Sequence, residues 1–340
     1  MKTVLCTLFN SLYLNKGLVL YDSLEEVSSN FVLYILCMDQ ECYDFFVKTK
    51  YRNIVPIQLN EIEDDEMLIA KQNRSFGEYC WTSTSALILY VLKHFEEPIC
   101  TYIDADMYFY NDPQLLVDEM LSNGASVQMV PHRFTDRRSN NEDIVGKYCV
   151  EFNTFKNDEK GLKILNHWHK QCLECCSNIG DGVHWGDQKY MDEWPGQPGV
   201  HVCTHPGAGV ATWNIEQYKN ANGIYDGTVL FKPEGSTVPL VFYHFAALVY
   251  WTRYHVGINI RRGNKEIDYA LVESLYEPYL KKIEKKNSLI EKSQCQLLLK
   301  TRNDRVGMIK RLFYSTILFQ YISKLSIAHR LKWPYIISVK

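Results

Sequence analysis

The chain has 340 residues, of which 46% are hydrophobic and 23% are charged, as in a soluble globular protein with one large domain or two ordinary ones. The formal net charge of −3 conceals an asymmetry: residues 281–340 carry 14 Lys/Arg and 3 Asp/Glu, which leaves 23 and 37 in residues 1–280. The acidic body argues against nucleic-acid binding, and the division indicates a body and a tail with different partners.

The first third of the chain alternates strand-like and helix-like segments. Short apolar runs predict buried strands over residues 2–9, 30–39 and 98–104. Between them, residues 16–28 and 83–95 have helical character, the second with Thr82 or Ser83 as a possible N-cap. This alternation predicts an α/β fold with a mainly parallel sheet flanked by helices, in which ligands bind beyond the carboxyl ends of the strands.

The middle of the chain mixes loops with short elements. Residues 133–143 are polar and predict a mobile loop. An amphipathic helix is predicted over residues 157–176, starting near Asn157 or Asp158, and a short strand over 200–204. Residues 238–248 are predicted to form a late buried strand that carries a histidine.

The character of the sequence changes after about residue 265. Residues 267–286 are predicted to be helical, and the basic stretch beyond them is interleaved with Leu, Ile, Phe, Tyr and Trp. We therefore expect a body over residues 1–265 and a basic helical extension over 266–340. The extension is either a solvated helical pair or a patch that contacts the anionic inner face of a membrane.

The cysteines and the absence of a secretory signal indicate the compartment. Eleven is an odd number, and several cysteines, such as Cys37 and Cys100, lie in apolar runs. Reduced, buried thiols in a cytoplasmic protein fit this pattern better than a disulfide framework. The run "CLECC" at 172–176 continues a helical apolar spacing, which favours core packing over metal binding. No small-residue cleavage site follows the first apolar segment, and no apolar run reaches the ~18 residues of a membrane span.

Two aspartates follow the predicted strand over 98–104. On an extended chain Asp104 and Asp106 project to the same side, so that their carboxylates converge at the edge of the sheet. Carboxylate oxygens in this arrangement are ligands for a hard divalent cation, Mg²⁺ or Mn²⁺. The alternative is a pair of solvated aspartates in a turn.

Several segments resemble a known family. "YIDADMYFYNDP" resembles the D-x-D segment of GT-A glycosyltransferases, and "CTLFNSLYLNKGLVLYDSL" is similar to the opening of bacterial transferases related to glycosyltransferase family 8. "GKYCVEFNTFKNDEKGLKIL", "WGDQKYMDEWP", "HPGAGVATWN" and "VFYHFAAL" resemble further blocks of that group, in the same order. The resemblance covers most of residues 3–260 and implies a GT-A fold and an enzyme of bacterial surface-polysaccharide assembly.

The resemblance also implies roles for individual residues. Asp104 and Asp106, with His244 as third ligand, would hold Mn²⁺ or Mg²⁺, and Asp104 would also contact the nucleotide-sugar. The residues that would contact the base, ribose or phosphates of the nucleotide-sugar are Thr7, Leu8, Asp39 and, on grounds of charge, Arg74. The candidate carboxylates near the reacting sugar carbon are Glu151 and Asp187. The candidates for the acceptor or sugar pocket are His205, Trp213 and Asn214.

Each of these residues also has a structural explanation. A lone histidine is usually a hydrogen-bonded core residue, a carboxylate often caps a helix or pairs on the surface, and a tryptophan is as often core. The implied reaction transfers a sugar from a nucleotide-sugar, expected to be a UDP-sugar, with retention of configuration, to a glycan or polyprenyl-linked acceptor. Two alternatives stay open: a metal-dependent phosphohydrolase and a non-catalytic sugar-binding component of a polysaccharide complex.

Overall fold

The computed structural model describes residues 2–180, 183–219, 229–231, 235–252, 255–261, 264–293 and 334–338. Its strands, in chain order, are β1 (Thr3–Phe9), β2 (Phe31–Cys37), β3 (Ile54–Gln58), β4 (Ile99–Ile103), β5 (Met107–Phe109), β6 (Val127–Pro131), β7 (Tyr148–Lys156), β8 (Val200–Val202), β9 (Val210–Ala211), β10 (Val229–Phe231), β11 (Thr237–Pro239), β12 (Phe242–His244), β13 (Val249–Thr252), β14 (His255–Arg261) and β15 (Pro334–Ser338). The helices are α1 (Leu14–Val27), α2 (Gln40–Thr49), α3 (Leu59–Ile62), α4 (Asp65–Gln72), α5 (Phe76–His94), α6 (Gln114–Ser122), α7 (Asn140–Val145), α8 (Glu159–Glu174) and α9 (Tyr269–Lys292).

A seven-stranded sheet in the order β3-β2-β1-β4-β7-β6-β8 organises the fold. The pairs β3-β2, β2-β1, β1-β4 and β6-β8 are parallel, whereas β7 runs antiparallel to both of its neighbours. This confirms the predicted α/β class with a mixed, mainly parallel sheet. Because β7 is antiparallel to β4, its first residues lie beside the carboxyl end of β4, where the two aspartates follow.

Helices cover both faces of the sheet, as the buried apolar strands require. One face packs against α5 and α8, with Leu87, Leu92, Leu165 and Trp168 in the core. The other packs against α1, α2 and α6, through residues such as Leu18 and Phe45. The sheet is therefore the middle layer of three, and a strand with both faces covered is apolar throughout, as in β1.

The helix α5 begins earlier than the sequence predicts. Its N-cap is Ser75, whose hydroxyl accepts from the Glu78 backbone while the Glu78 carboxylate accepts from the Ser75 backbone. The prediction of an N-cap at Thr82 or Ser83 is wrong, because both hydroxyls lie inside the helix and donate to carbonyls four residues earlier. Such back-bonding satisfies a hydroxyl without ending the helix.

Two other predicted elements differ from their expected form, and one is confirmed. The predicted strand over 238–248 is broken into β11 and β12, which belong to different sheets: β11 pairs with β10, and β12 with β5 and β9. The loop over 133–143 contains a 3₁₀ turn, Asp136–Arg138, and the short helix α7. The predicted helix over 157–176 is confirmed as α8, with the Asp158 carboxylate accepting from Gly161 N at its start.

The helix α9 packs onto the body. Lys286 pairs with Asp22, and Asn15 donates to the side chain of the buried Asn287, both of which join α9 to α1. Residues 294–333, most of the predicted basic extension, lie outside the described residues, so the boundary at 265/266 stays a prediction. None of the helices in the described ranges combines the length and the apolar character needed to span a bilayer.

Most cysteines of the described residues are buried, as the sequence predicts. No disulfide joins the ten cysteines within the described ranges, and the thiols of Cys6 and Cys100 lie 3.4 Å apart between β1 and β4. In the "CLECC" run, Cys172 is fully buried beside Trp168 and Leu165. Core packing, and not a metal site, therefore accounts for this run.

Candidate functional site

The two aspartates lie in a tight turn at the carboxyl end of β4. The backbone N–H of Met107 donates to the carbonyl of Asp104, which closes the turn before β5 begins. The prediction that the chain is extended at Asp104 and Asp106 is therefore wrong, because the chain turns there. The carboxylates nevertheless face a common point, because both approach the imidazole of His244.

His244 reaches this turn through the small sheet β5-β12-β9. It ends β12, opposite Met107 of the antiparallel β5, and the carbonyl of Asp106 accepts from Phe245 N. Its Nε2 lies 3.1 Å from Asp106 Oδ1 and 3.7 Å from Asp104 Oδ2. Three residues that the resemblance singles out as metal ligands, separated by up to 140 positions, thus converge at one buried point.

Glu151, on β7, contacts the opposite side of the imidazole. Its backbone carbonyl accepts from Asp104 N, and its Oε2 lies 2.7 Å from His244 Nδ1. The other carboxylate oxygen, Oε1, is buried without a hydrogen-bond partner within the described residues. Cys149 lies on the same face of β7, and Cys149, Glu151 and His244 offer ligand atoms within 4.8 Å of one another.

Lys16 completes the buried charges. Its Nζ lies 3.4 Å from Asp106 Oδ2, and its side chain is 6% exposed. Burial alone would lower the pKa of Lys16, but the charge of Asp106 raises it. No sequence-based prediction includes Lys16, although it is the one lysine among the apolar residues of the first helix.

The pKa values of the two aspartates are shifted in opposite directions by burial and by the charges around them. Burial raises the pKa of Asp104 to about 6, with Asp106 adding to the effect and His244 opposing it. Burial also acts to raise the pKa of Asp106, but Lys16 and His244 hold it well below its usual value. For His244, burial is outweighed by its hydrogen bonds, that to Asp106 foremost, and the pKa is raised.

Asp187 belongs to the same region. It lies just before the 3₁₀ turn Lys189–Glu193, and its backbone carbonyl accepts from the indole of Trp168, which anchors it to α8. The residue is 4% exposed. Burial raises the pKa of Asp187 to about 8, and the negative charge of Asp104 contributes. Asp104 and Asp187 therefore interact electrostatically.

Of the three predicted pocket residues, Trp213 packs against His244 and Asn214 follows Trp213 in the sequence. The ring of Trp213 packs edge-on against His244, with centroids 5.3 Å apart, and its Nε1 donates to the carbonyl of His132. Asn214 is fully buried, and its amide donates to the carbonyls of His132 and Gly209. Asn214 therefore holds the loop in place, a structural role, whereas Trp213 forms a wall of the site.

The third, His205, is tied into the loop that precedes Gly209. Its Nδ1 accepts from Gly207 N, and its backbone N–H donates to Glu119. Arg133 donates to three carbonyls of the same loop, among them that of His205. These contacts shape the loop, and contact of His205 with a sugar stays a prediction.

The predicted nucleotide residues are divided between two places. Thr7 and Leu8 lie near the carboxyl end of β1, and the buried Thr7 hydroxyl has no partner within the described residues. The Asp39 carboxylate caps α2 and accepts from Ser11 N and Oγ. Arg74, by contrast, donates to the last carbonyls of α8, those of Leu173 and Glu174. This helix-capping contact gives Arg74 a structural role, and its contact with phosphate stays a prediction.

The donor set fits a divalent cation. Three carboxylates surround the imidazole of His244, Asp104 and Asp106 at Nε2 and Glu151 at Nδ1, and one lysine lies beside them, so that carboxylates outnumber the paired lysine. The unpartnered Glu151 Oε1 is a further oxygen that a cation could satisfy. Oxygen-rich donors suit Mg²⁺ or Mn²⁺, whereas a position between Cys149, Glu151 and His244 would suit a softer ion.

Comparisons with known proteins give two curated relatives. The chain is 32% identical to the uncharacterized protein YfnD of Bacillus subtilis over 278 residues, 81% of this chain and 86% of YfnD. It is 31% identical to YfnF of the same organism over 254 residues, 72% of this chain and 82% of YfnF. No family model matches the sequence.

Solved structures give more distant similarities. They include mouse xyloside xylosyltransferase 1 (15% identity, TM-score 0.44, 72% of this chain and 97% of that one) and the bifunctional glycosyltransferase WbbM (12%, 0.44, 84% and 51%). An active-site mutant of LgtC is similar at 12% identity and a TM-score of 0.42, over 74% of this chain and 90% of that one.

Proposed function

The chain belongs to the same family as YfnD and YfnF of Bacillus subtilis, and we propose that it is a metal-dependent glycosyltransferase of GT-A type. It would move a sugar from a nucleotide-sugar to a glycan or lipid-linked glycan acceptor. The observation that carries this proposal is the convergence of Asp104, Asp106 and His244 at the carboxyl edge of the sheet, where ligands of open α/β sheets bind.

The metal site would be assembled from these three side chains. A divalent cation bound there would stabilise the negative charge that develops on the departing nucleoside diphosphate. Glu151 would hold the Nδ1 proton of His244 and so present Nε2 to the cation, as outer carboxylates do for metal-bound histidines. This contact favours Glu151 as a positioning residue over its sequence-based assignment as a carboxylate beneath the sugar carbon.

Asp187 is the better candidate for that carboxylate. It is buried, it lies near the aspartate turn, and its carboxylate is not paired with any lysine or arginine in the described part of the chain. A carboxylate there would stabilise positive charge on the sugar as the glycosidic bond breaks. Trp213 would pack against a face of the sugar, and Thr7 and Leu8 would line the nucleotide position. Retention of configuration and a UDP-sugar donor are part of the proposal through the family resemblance.

A donor screen tests the reaction. The protein is incubated with Mn²⁺ or Mg²⁺ and a panel of nucleotide-sugars, and free nucleoside diphosphate is measured with and without chelator. We expect release from one donor, abolished by chelator. Release of inorganic phosphate from many nucleotides would instead identify the alternative phosphohydrolase. Turnover of no donor, together with binding of a free glycan, would identify the non-catalytic sugar-binding protein.

A second part of the proposal concerns the acceptor. A polyprenyl-linked acceptor would lie at the inner membrane face, and the basic residues of 281–340 would hold a cytoplasmic enzyme there. Flotation with vesicles that contain anionic lipid compares the full chain with a variant in which Lys/Arg of residues 300–332 are replaced by Gln. Equal flotation of the two proteins would reject the membrane contact.

A further inference from the structure

Lys16 is a buried lysine to which the proposed metal site assigns no role. It lies in the first turn of α1, and its ammonium group contacts two groups: Asp106 Oδ2 at 3.4 Å and the face of the Tyr13 ring, with its centroid at 3.7 Å. Burying an ammonium group is costly unless it is paired. Asp106 is therefore the partner that makes this position tolerable for Lys16.

The same contact works against a metal at Asp106. A divalent cation bound to this carboxylate would stand a few ångströms from a fixed positive charge and be repelled by it. Lys16 therefore stabilises the cluster when no cation is bound and opposes cation binding by itself. A ligand that brings negative charge together with the cation would remove this conflict, since it would give the ammonium group a second anionic partner.

Few other positively charged side chains of the described residues lie near the aspartate turn to bind a negatively charged ligand. Lys16 is the one lysine or arginine among the described residues that pairs with the aspartate turn. Arg133, on the neighbouring loop, is engaged with three carbonyls. Residues 245–252, which follow His244, include no lysine or arginine.

We propose that Lys16 neutralises Asp106 in the metal-free chain and binds the diphosphate of the nucleotide once a divalent cation is held by the aspartate turn. This inference rests on the proposed function, because a nucleoside diphosphate is the anion that this function brings to the site. Lys16 would thus couple the two ligands: the cation binds weakly alone and tightly with the diphosphate.

The test separates the two ligands. Binding of Mn²⁺ alone, and of UDP or inorganic pyrophosphate at saturating Mn²⁺, is measured by calorimetry for the wild type and for Lys16→Met. We expect Mn²⁺ alone to bind Lys16→Met about tenfold more tightly, because the repulsion is gone, and the diphosphate to bind about tenfold more weakly. The melting temperature of metal-free Lys16→Met should also be lower. Lys163→Met, which removes an exposed lysine of α8, is the control and should change none of the three.

Opposite signs for the two ligands distinguish this role from a structural one. Equal weakening of Mn²⁺ and diphosphate binding, or no change in either, overturns the proposal. If Lys16→Met does not fold, Lys16→Arg and Lys16→Gln take its place. Lys16→Arg should keep diphosphate binding within about threefold of the wild type. Lys16→Gln should bind Mn²⁺ more tightly and the diphosphate more weakly than the wild type. Wild-type protein that binds neither Mn²⁺ nor diphosphate would overturn the proposed function itself, which is a different result.

Discussion

The carboxylate of Glu151 lies 2.7 Å from Nδ1 of His244, and the imidazole turns its other nitrogen toward Asp106. The two residues are 93 positions apart and come from different sheets, β7 and β12. A carboxylate that accepts the Nδ1 proton fixes both the tautomer and the direction of Nε2. The histidine is therefore oriented before any ligand arrives, which is what a preformed metal site needs.

Removing this orientation should weaken metal binding. We expect Glu151→Ala to lower the affinity for Mn²⁺ about 10- to 100-fold, and Glu151→Gln to have a smaller effect because an amide oxygen still accepts the proton. Titration followed by the electron paramagnetic resonance of free Mn²⁺ measures both. Glu193→Gln alters an exposed glutamate and serves as the control. A Glu151→Ala protein with wild-type Mn²⁺ affinity would show that Glu151 does not position the ligand.

The aspartate turn should be essential to donor cleavage. Asp104→Asn and Asp106→Asn each remove a charged oxygen ligand, and we expect each to reduce metal-dependent release of nucleoside diphosphate at least about 100-fold. Asp118→Asn, on the exposed face of α6, tests for a general effect of losing a carboxylate and should retain full activity. Wild-type rates in both turn variants would rule out this pair as the metal site.

Asp187 should affect the reaction without affecting metal binding. At a pH above about 8, where the Asp187 carboxylate is ionised, we expect Asp187→Asn to lower the rate of transfer about 100- to 1000-fold, since a charge near the sugar carbon is lost, while Mn²⁺ affinity stays within about threefold of the wild type. The rate and the Mn²⁺ titration are measured on the same preparation. A variant that loses both in parallel would place Asp187 among the metal-supporting residues instead.

Stability at low pH should depend on Glu119. Burial acts to raise the pKa of Glu119, but hydrogen bonds from His201 and from Thr204 lower it to about 2, from the ordinary value of 4.5. A carboxylate with a lowered pKa stabilises the fold above the unfolded value, and this contribution is lost as the pH falls from about 4.5 toward 2.

Urea unfolding between pH 3 and 6 measures this dependence. The free energy of unfolding should fall less steeply with decreasing pH in Glu119→Gln than in the wild type, because the variant lacks the titrating group. It should also be lower at pH 6, where the carboxylate is ionised. Glu277→Gln, on an exposed part of α9, should follow the wild-type curve. Parallel curves for Glu119→Gln and the wild type would exclude this carboxylate as the source.

The sequence was sufficient where local patterns decide the structure. Apolar runs and helical spacing predict β1, β2, β4 and α8 with small errors at their ends, since these patterns follow directly from which faces are buried. The predicted start of α5 is wrong because the hydroxyls of Thr82 and Ser83 resemble N-caps in the sequence. The true N-cap, Ser75 with its capping box, lies about two helical turns earlier.

By itself, then, the sequence determined the α/β class and the aspartate pair at the end of a strand. The family resemblance implied His244 as a third ligand, but only the tertiary structure decided how this histidine, Glu151 and Lys16 meet that pair. The antiparallel pairing of β5 with β12 brings His244 to Asp106, and that of β4 with β7 brings Glu151 to the histidine. Lys16 arrives from α1, nearly ninety positions before the turn. Contacts between distant residues depend on strand order and register, which the local sequence does not specify. The charged side chains can be buried at this site only because each is paired with a charge from another element.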